Sequence, residues 1–136
     1  MLKAAPPCEL AIVDGSPGIG CPVIASVNGM DLVLVVAEPS GSGISDLKRL
    51  CATAATLQVQ LAVCVNKYDV SPQHTERIET FCRQQGIAFV GKIPFDPMAV
   101  RAVNEGTTVV DIDCPAGRAV REIFAKLTAL LAERSI

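Results

Sequence analysis

Leu10-Ala11-Ile12-Val13-Asp14-Gly15-Ser16-Pro17-Gly18-Ile19-Gly20-Cys21-Pro22-Val23 is the stretch on which the fold turns. A short apolar run ends in an aspartate, and a Gly/Pro-rich turn leads into a segment able to start a helix. In an open parallel α/β sheet, ligands bind outside the carboxyl ends of the strands. Asp14 is expected at such an end, where an acid can hold Mg²⁺ directly or through water and so draw in phosphates. Gly15, Gly18 and Gly20 let the backbone approach a ligand and offer free N–H groups.

Downstream, strand and helix signals alternate. Asp31 to Ala37 reads as a strand, and a helix capped by Ser45 is expected from there to about Leu57, with Leu47, Leu50, Cys51, Ala54 and Leu57 on one face. Val59 to Val65 is the next strand and ends in Asn66-Lys67. Ser71 and Pro72 open a helix that Gly86 closes, with Ile78, Phe81 and Cys82 inward. Ile87 to Ile93 is a strand, Pro97 to Asn104 a short helix, Thr107 to Ile112 a short edge strand. The last helix runs from Pro115 to about Glu133 and buries Val120, Ile123, Phe124, Leu127 and Leu131. Cys21 to Asn28 is expected to form a short helix. The pattern predicts a three-layer α/β fold, a mostly parallel sheet with helices on both faces.

Composition narrows the function classes. The 136 residues are 50% hydrophobic and 19% charged, with mean hydropathy +0.41, which suits strands covered on both faces. A net charge of −2, no Trp and a single Tyr argue against a nucleic-acid surface. Apolar runs are too short for a membrane span, and Met1 to Leu10 has no signal-peptide core, so a cytoplasmic location is expected. The six cysteines show no C-x-x-C spacing, which argues against a metal or cluster site made by this chain alone. His74, the sole histidine, reads as a surface side chain.

Asp14-Gly-Ser-Pro-Gly-Ile-Gly-Cys-Pro-Val resembles the second switch segment of the MinD/ParA/Mrp-type P-loop ATPases. It is most similar to the subgroup fused to ferredoxin-like modules, whose pattern is Asp-Gly-Pro-Pro-Gly-Ile-Gly-Cys-Pro-Val; Ser16 replaces the first proline. The resemblance extends through Asp31–Pro39, Asn66-Lys67-Tyr68-Asp69 and Gly91 to Pro97. These ATPases also carry a Gly-x-x-x-x-Gly-Lys-[Ser/Thr] loop or a two-lysine variant, and no such loop occurs here. Residues 10–136 therefore read as the C-terminal part of an incomplete P-loop ATPase domain, and residues 1–9 as a leader.

The resemblance implies roles residue by residue. Asp14 would position Mg²⁺ or water, and Gly15, Pro17, Gly18 and Gly20 would form a turn that senses the γ-phosphate, Gly18 touching nucleotide. Asn66, Lys67 and Asp69 would border a purine; Asn-Lys-x-Asp also fits a guanine reader, and the amide of Asn66 can serve either base. Pro94 and Asp96 belong to the loop over the base, read by its backbone more than by the carboxylate. ATP and Mg²⁺ are the implied cofactors of a parent protein, the chain alone being expected inactive. Implied partners are the missing N-terminal half or a second copy, and a ferredoxin-like iron–sulfur protein that Cys21 would approach. Each residue also has a plain reading: Asp14 and Asn66 cap turns, Asp69 caps a helix, the glycines make a rigid turn, Gly41-Ser42-Gly43 is a loop. A non-catalytic interaction module, a GTP-binding protein and a split ATPase stand as alternatives. In the resembled fold the phosphate-loop strand lies between Asp14's strand and residues 31–37. Its absence would leave an open slot, from which a homodimer or larger oligomer is expected.

Overall fold

A computed structural model of the protein describes residues 9–15 and 27–134. Its framework is a parallel sheet in the order β1-β2-β3, with β1 at Val33–Ala37, β2 at Leu61–Asn66 and β3 at Ala88–Ile93. Val33 pairs with Leu61, and Ala62 with Ala88. β2 is central, and Leu61 to Val65 are all buried. A strand covered on both faces has no solvent side, which is why its apolar run is continuous.

Helices α1 (Gly41–Leu57) and α2 (Pro72–Gln85) cover one face. Ile44, Leu47, Ile78 and Cys82 meet Ala37, Val63 and Val65 there. Helix α4 (Pro115–Arg134) covers the other, where Ile123 packs on Ala62, Cys64 and Val90. The short α3 (Pro97–Asn104) lies between β3 and α4 in the chain. This is the three-layer arrangement that the alternation of elements predicts.

Several expected boundaries move, for local reasons. Helix α1 begins at Gly41 instead of Ser45, because Ser40 is the cap: its Oγ accepts from the Gly43 N–H at 3.0 Å. Gly41-Ser42-Gly43 is thus the first helical turn and not a loop. Ser71 does precede α2, but its hydroxyl is engaged with His74 Nδ1 at 2.7 Å and caps nothing. The expected strand at residues 107–112 is absent. Thr108 and Asp111 instead form a reciprocal capping box around a 3₁₀ turn, Val109–Asp111. Such local bonds compete with a ladder. The Val110 carbonyl is taken by the Arg121 guanidinium. Gly117 passes so close that a Cβ there would stand 2.5 Å from the Val109 oxygen.

The largest correction concerns the opening stretch. Residues 10–14 do not form a strand, and Ile12 is 81% exposed. Among the described residues no backbone hydrogen bond joins them to β1. A strand exists only through its ladder, and here a cleft separates the segment from β1. Phe124, expected inside, is 49% exposed on the same cleft. The expected helix at residues 21–28 falls mostly outside the described residues; Val27 to Met30 close a turn with Gly29 at φ +82°.

One irregularity in β3 sets side-chain directions. Val63 pairs with Phe89 but Cys64 with Gly91, so Val90 is an extra residue. Gly91 sits at φ +152°, a backbone that side chains rarely adopt. The bulge inverts the alternation beyond it. Ile93 turns to the α4 face. Lys92 reaches Glu79 at 3.1 Å and lies 5.2 Å over the Tyr68 ring. Without the extra residue, Lys92 would follow Val90 into the α4 core.

Candidate functional site

The carboxyl ends of the three strands form one edge of the molecule, where Ala37 lies beside Val65 and Asn66 beside Ile93. Two groups of expected site residues meet this edge. They do not form one pocket.

The first group surrounds the cleft between residues 10–15 and β1, a volume of about 950 Å³. Asp14 and Gly15 line its polar end with Glu38, Ser40, Ser42, Gly43 and Asp46. Sequence reasoning read Ser42 and Gly43 as part of a plain loop and gave Glu38, Ser40 and Asp46 no site role, although Glu38 and Ser40 follow a strand and precede a helix, which is the signal. A close fit sets the bend: a Cβ on Gly43 would collide with the Glu38 carbonyl oxygen. Leu47 and Leu50 of α1 and Phe124 and Leu127 of α4 wall the apolar remainder. Pro17, Gly18, Gly20 and Cys21 lie outside the described residues. Among those described, no group of three acidic, histidine or cysteine side chains is placed to hold a metal ion. That does not exclude Mg²⁺ that arrives with phosphates, since such an ion needs only one or two carboxylates.

The second group sits over β2 and β3. Asn66 is half-buried at the end of β2, and Lys67 turns out in the left-handed conformation at φ 54°. A 3₁₀ turn follows at Tyr68–Val70. The Asp69 carboxylate accepts from the Phe95 backbone N–H at 2.8 Å and so ties the β2 loop to the loop at Pro94. One of its oxygens is therefore committed to the protein. Thr75 is buried, and its hydroxyl donates to the Tyr68 and Ser71 carbonyls.

Asp96 is a double cap. One oxygen accepts from Met98 N–H at 3.0 Å and starts α3; the other accepts from Ala116 N–H at 3.1 Å and starts α4. The Met98 amide chiefly, then that of Ala116, holds its carboxyl below the usual range, with Cys114 and Arg118 adding to the effect. Amides at helix starts favour a carboxylate for the same reason. This carboxylate is occupied at the two helix starts.

Among the described residues the cysteines belong to no group of three potential metal ligands. Cys51, Cys64, Cys82 and Cys114 are all free thiols. Burial pushes Cys64 and Cys82 up to about 11, and raises Cys51 as well. They behave as small core residues.

No protein-family model matches the chain. An uncharacterised ATP-binding protein of Methanocaldococcus jannaschii is 33% identical over 126 residues, which cover 88% of this chain and 46% of that protein. The iron–sulfur cluster carrier protein of Pyrococcus furiosus is 28% identical over 138 residues, covering 92% and 47%. Among solved structures, the MinD cell division protein of Aquifex aeolicus matches with TM-score 0.70 and 24% identity, over 85% of this chain and 51% of that one. The chain thus has the fold of MinD and spans about half the length of the proteins it matches. Among the described residues no helix is long and apolar enough to cross a membrane.

Proposed function

From this kinship with MinD-like and ATP-binding proteins, we propose that residues 10–136 are the C-terminal part of a nucleotide-switch ATPase domain. The observation that carries the reading is the shared carboxyl edge: Asp14 and Gly15 at one point of it, Asn66 and Pro94 at another, on a MinD fold. In the complete protein, ATP with Mg²⁺ would supply the transferable phosphoryl group and its charge-neutralising ion. Asp14 would give one ligand to that ion or orient water. Gly15, with Pro17, Gly18 and Gly20, would sense the terminal phosphate through backbone N–H groups. Asn66 would meet the purine edge, flanked by Lys67, while Pro94 and its neighbours cover the base. With one oxygen held by Phe95, Asp69 has less freedom to read guanine, which favours adenine. The chain alone lacks a phosphate-loop lysine, and phosphoryl transfer depends on such positioned charge. It is therefore expected to be inactive. An iron–sulfur protein is the partner class that the carrier relatives favour, and a cytoplasmic site of action goes with it.

Calorimetric titration with Mg-ATP and Mg-GTP tests the reading. It is run on the chain alone and on the chain joined to a segment bearing a phosphate loop. Heat with ATP in the joined form only is expected, and Asn66→Ala should weaken it about tenfold through the loss of one base hydrogen bond. Equal affinity for GTP would support the guanine alternative. No binding in either form would overturn the proposal.

A further inference from the structure

Helices α1 and α2 cover the same face of the sheet, and each brings a thiol to the seam between them. Lys48 of α1 stands 5.7 Å over the Phe81 ring of α2, which fixes how the two helices face each other. Residues three and four apart share a helix face. Ile44, Leu47 and Cys51 therefore form one stripe of α1, and Ile78, Phe81 and Cys82 one stripe of α2. Both stripes belong to a single core cluster. Cys51 lies three residues beyond Lys48, and Cys82 directly follows Phe81. The two side chains thus enter the seam within about one helical turn of each other. Axes of packed helices lie about 8–10 Å apart and Cα atoms about 2.3 Å off each axis, so facing Cα atoms come within the span of a disulfide, about 4.4–6.8 Å.

Electrostatics point to the same proximity. Burial is the chief cause that pushes the Cys82 thiol up to about 11, and repulsion from a Cys51 thiolate comes next, ahead of Glu79. Cys64 belongs instead to the core on the opposite face of the sheet, under α4. Access to the pair is unequal. Cys82 is 0% exposed, whereas Cys51 is only half-buried. A reagent from solvent therefore meets Cys51, and Cys82 is reached only through Cys51.

We infer that Cys51 and Cys82 form a reactive dithiol, in which Cys51 meets a small-molecule disulfide and Cys82 resolves the product into a Cys51–Cys82 bond. The Cys51 thiolate attacks the small disulfide R–S–S–R, the mixed disulfide Cys51–S–S–R forms, and one R–S⁻ leaves. The Cys82 thiolate then attacks the Cys51 sulfur and the second R–S⁻ leaves. The two protein thiol protons end on the two released thiolates. Two protein thiols are oxidised, and one small disulfide is reduced to two thiols. Thiols raised by burial hold little thiolate at neutral pH, so the exchange is slow. They are also poor leaving groups, so the bond resists reduction once formed. The bond ties α1, whose first turn brings Ser42 and Gly43 to the cleft, to α2, which follows the loop at Tyr68–Val70. It thereby clamps the two parts of the carboxyl edge together. The inference goes beyond the nucleotide reading and does not depend on it.

The whole chain is held with millimolar oxidised glutathione at about pH 8.5 and then digested with trypsin without reduction. Trypsin leaves Cys82 in Ile78–Arg83 and Cys51 with Cys64 in Leu50–Lys67. Mass spectrometry is expected to find these two peptides joined, and fragmentation to place the bond on Cys51. In Cys82→Ala the reaction should stop with glutathione on Cys51. In Cys51→Ser, Cys82 should carry neither adduct nor crosslink. Circular dichroism checks the fold of each variant, and the peptide map of the unaltered chain decides the matter without them. The crosslinked chain should also unfold at higher urea, because the bond closes a loop of about 30 residues in the unfolded state. Glutathione that stays on Cys51 of the unaltered chain would overturn the inference. So would a bond from Cys51 to any other cysteine, a crosslink between two chains, a crosslink formed only in urea, or no reaction at all.

Discussion

Replacing Gly91 by alanine isolates the contribution of the β3 bulge. At φ +152° an alanine adopts a strained backbone, which costs about 1–3 kcal/mol. The new Cβ would also stand 2.7 Å from Ile123 Cγ1, where α4 rests on the sheet. Overpacking of that kind adds about 1–3 kcal/mol. The expected total for Gly91→Ala is about 2–6 kcal/mol, a large share of the roughly 5–15 kcal/mol that holds a domain folded. Ile123→Ala alone opens a cavity in the second core and should cost about 2–4 kcal/mol. In the double variant the methyl enters the space that Ile123 vacated. The steric part of the first cost should then vanish while the backbone part remains. The two changes should therefore fall short of additivity by at least about 1 kcal/mol. Urea unfolding of all four proteins, with m-values compared, measures this directly. Strict additivity would show that α4 does not bear on Gly91. A Gly91→Ala protein within about 0.5 kcal/mol of the parent would refute the bulge itself.

Further outcomes follow from the caps, the core thiols and the loop tie. Asp96 has a folded pKa below its ordinary 3.8, so its contribution is complete above that value and is lost as pH falls through the lowered one. Asp96→Asn should flatten the acid limb of stability below about pH 4, read from urea midpoints; an unchanged limb would remove the double cap. Cys64 and Cys82, pushed up to about 11, should resist iodoacetamide at about pH 8 in the folded chain and react only in denaturant. Mass spectrometry counts the adducts, and labelling of either thiol without unfolding would contradict their burial. Asp69→Ala should speed amide exchange at Phe95 by about tenfold and leave the β2 core amides unchanged, since only the loop tie is cut. Gly117→Ala should expose the 3₁₀ turn at Val109–Asp111 to proteolysis, because α4 must back away from the Val109 carbonyl.

What the sequence made legible depended on how far each signal reached. α2 is read to the residue and β2 to within two, because Pro72 with Gly86 bracket a helix and a continuous apolar run means a central strand. Residues 10–14 have the same apolar look as β2, but a strand is a relation between two segments, and among the described residues no backbone partner pairs with them. Phe124 keeps helical spacing with Ile123 and Leu127, and periodicity cannot tell a core wall from a cleft wall. Thr107 to Ile112 shows how β-branched residues mislead when a Thr-x-x-Asp capping box lies among them. Gly91 was legible in principle, since a glycine inside a strand pattern signals a bulge. The double cap at Asp96 was not, because nothing local links it to Ala116. Asp14 lines the cleft beside β1, whereas Asn66 ends β2 and Pro94 follows β3, outside that cleft. Glu38 and Ser40, unremarked in the sequence, share the cleft with Asp14.

The strand order carries a consequence for how the chain folds. Each strand pairs with the next one in sequence, and each pairing closes across a single helical crossover. Loop-closure entropy grows only as the logarithm of the intervening length, so these closures are comparably small and sequential. Among the described residues β1 pairs with β2 alone, so that pairing waits on no other strand. The sheet is therefore built outward from β2, and among the described residues β1 is one of its two edges.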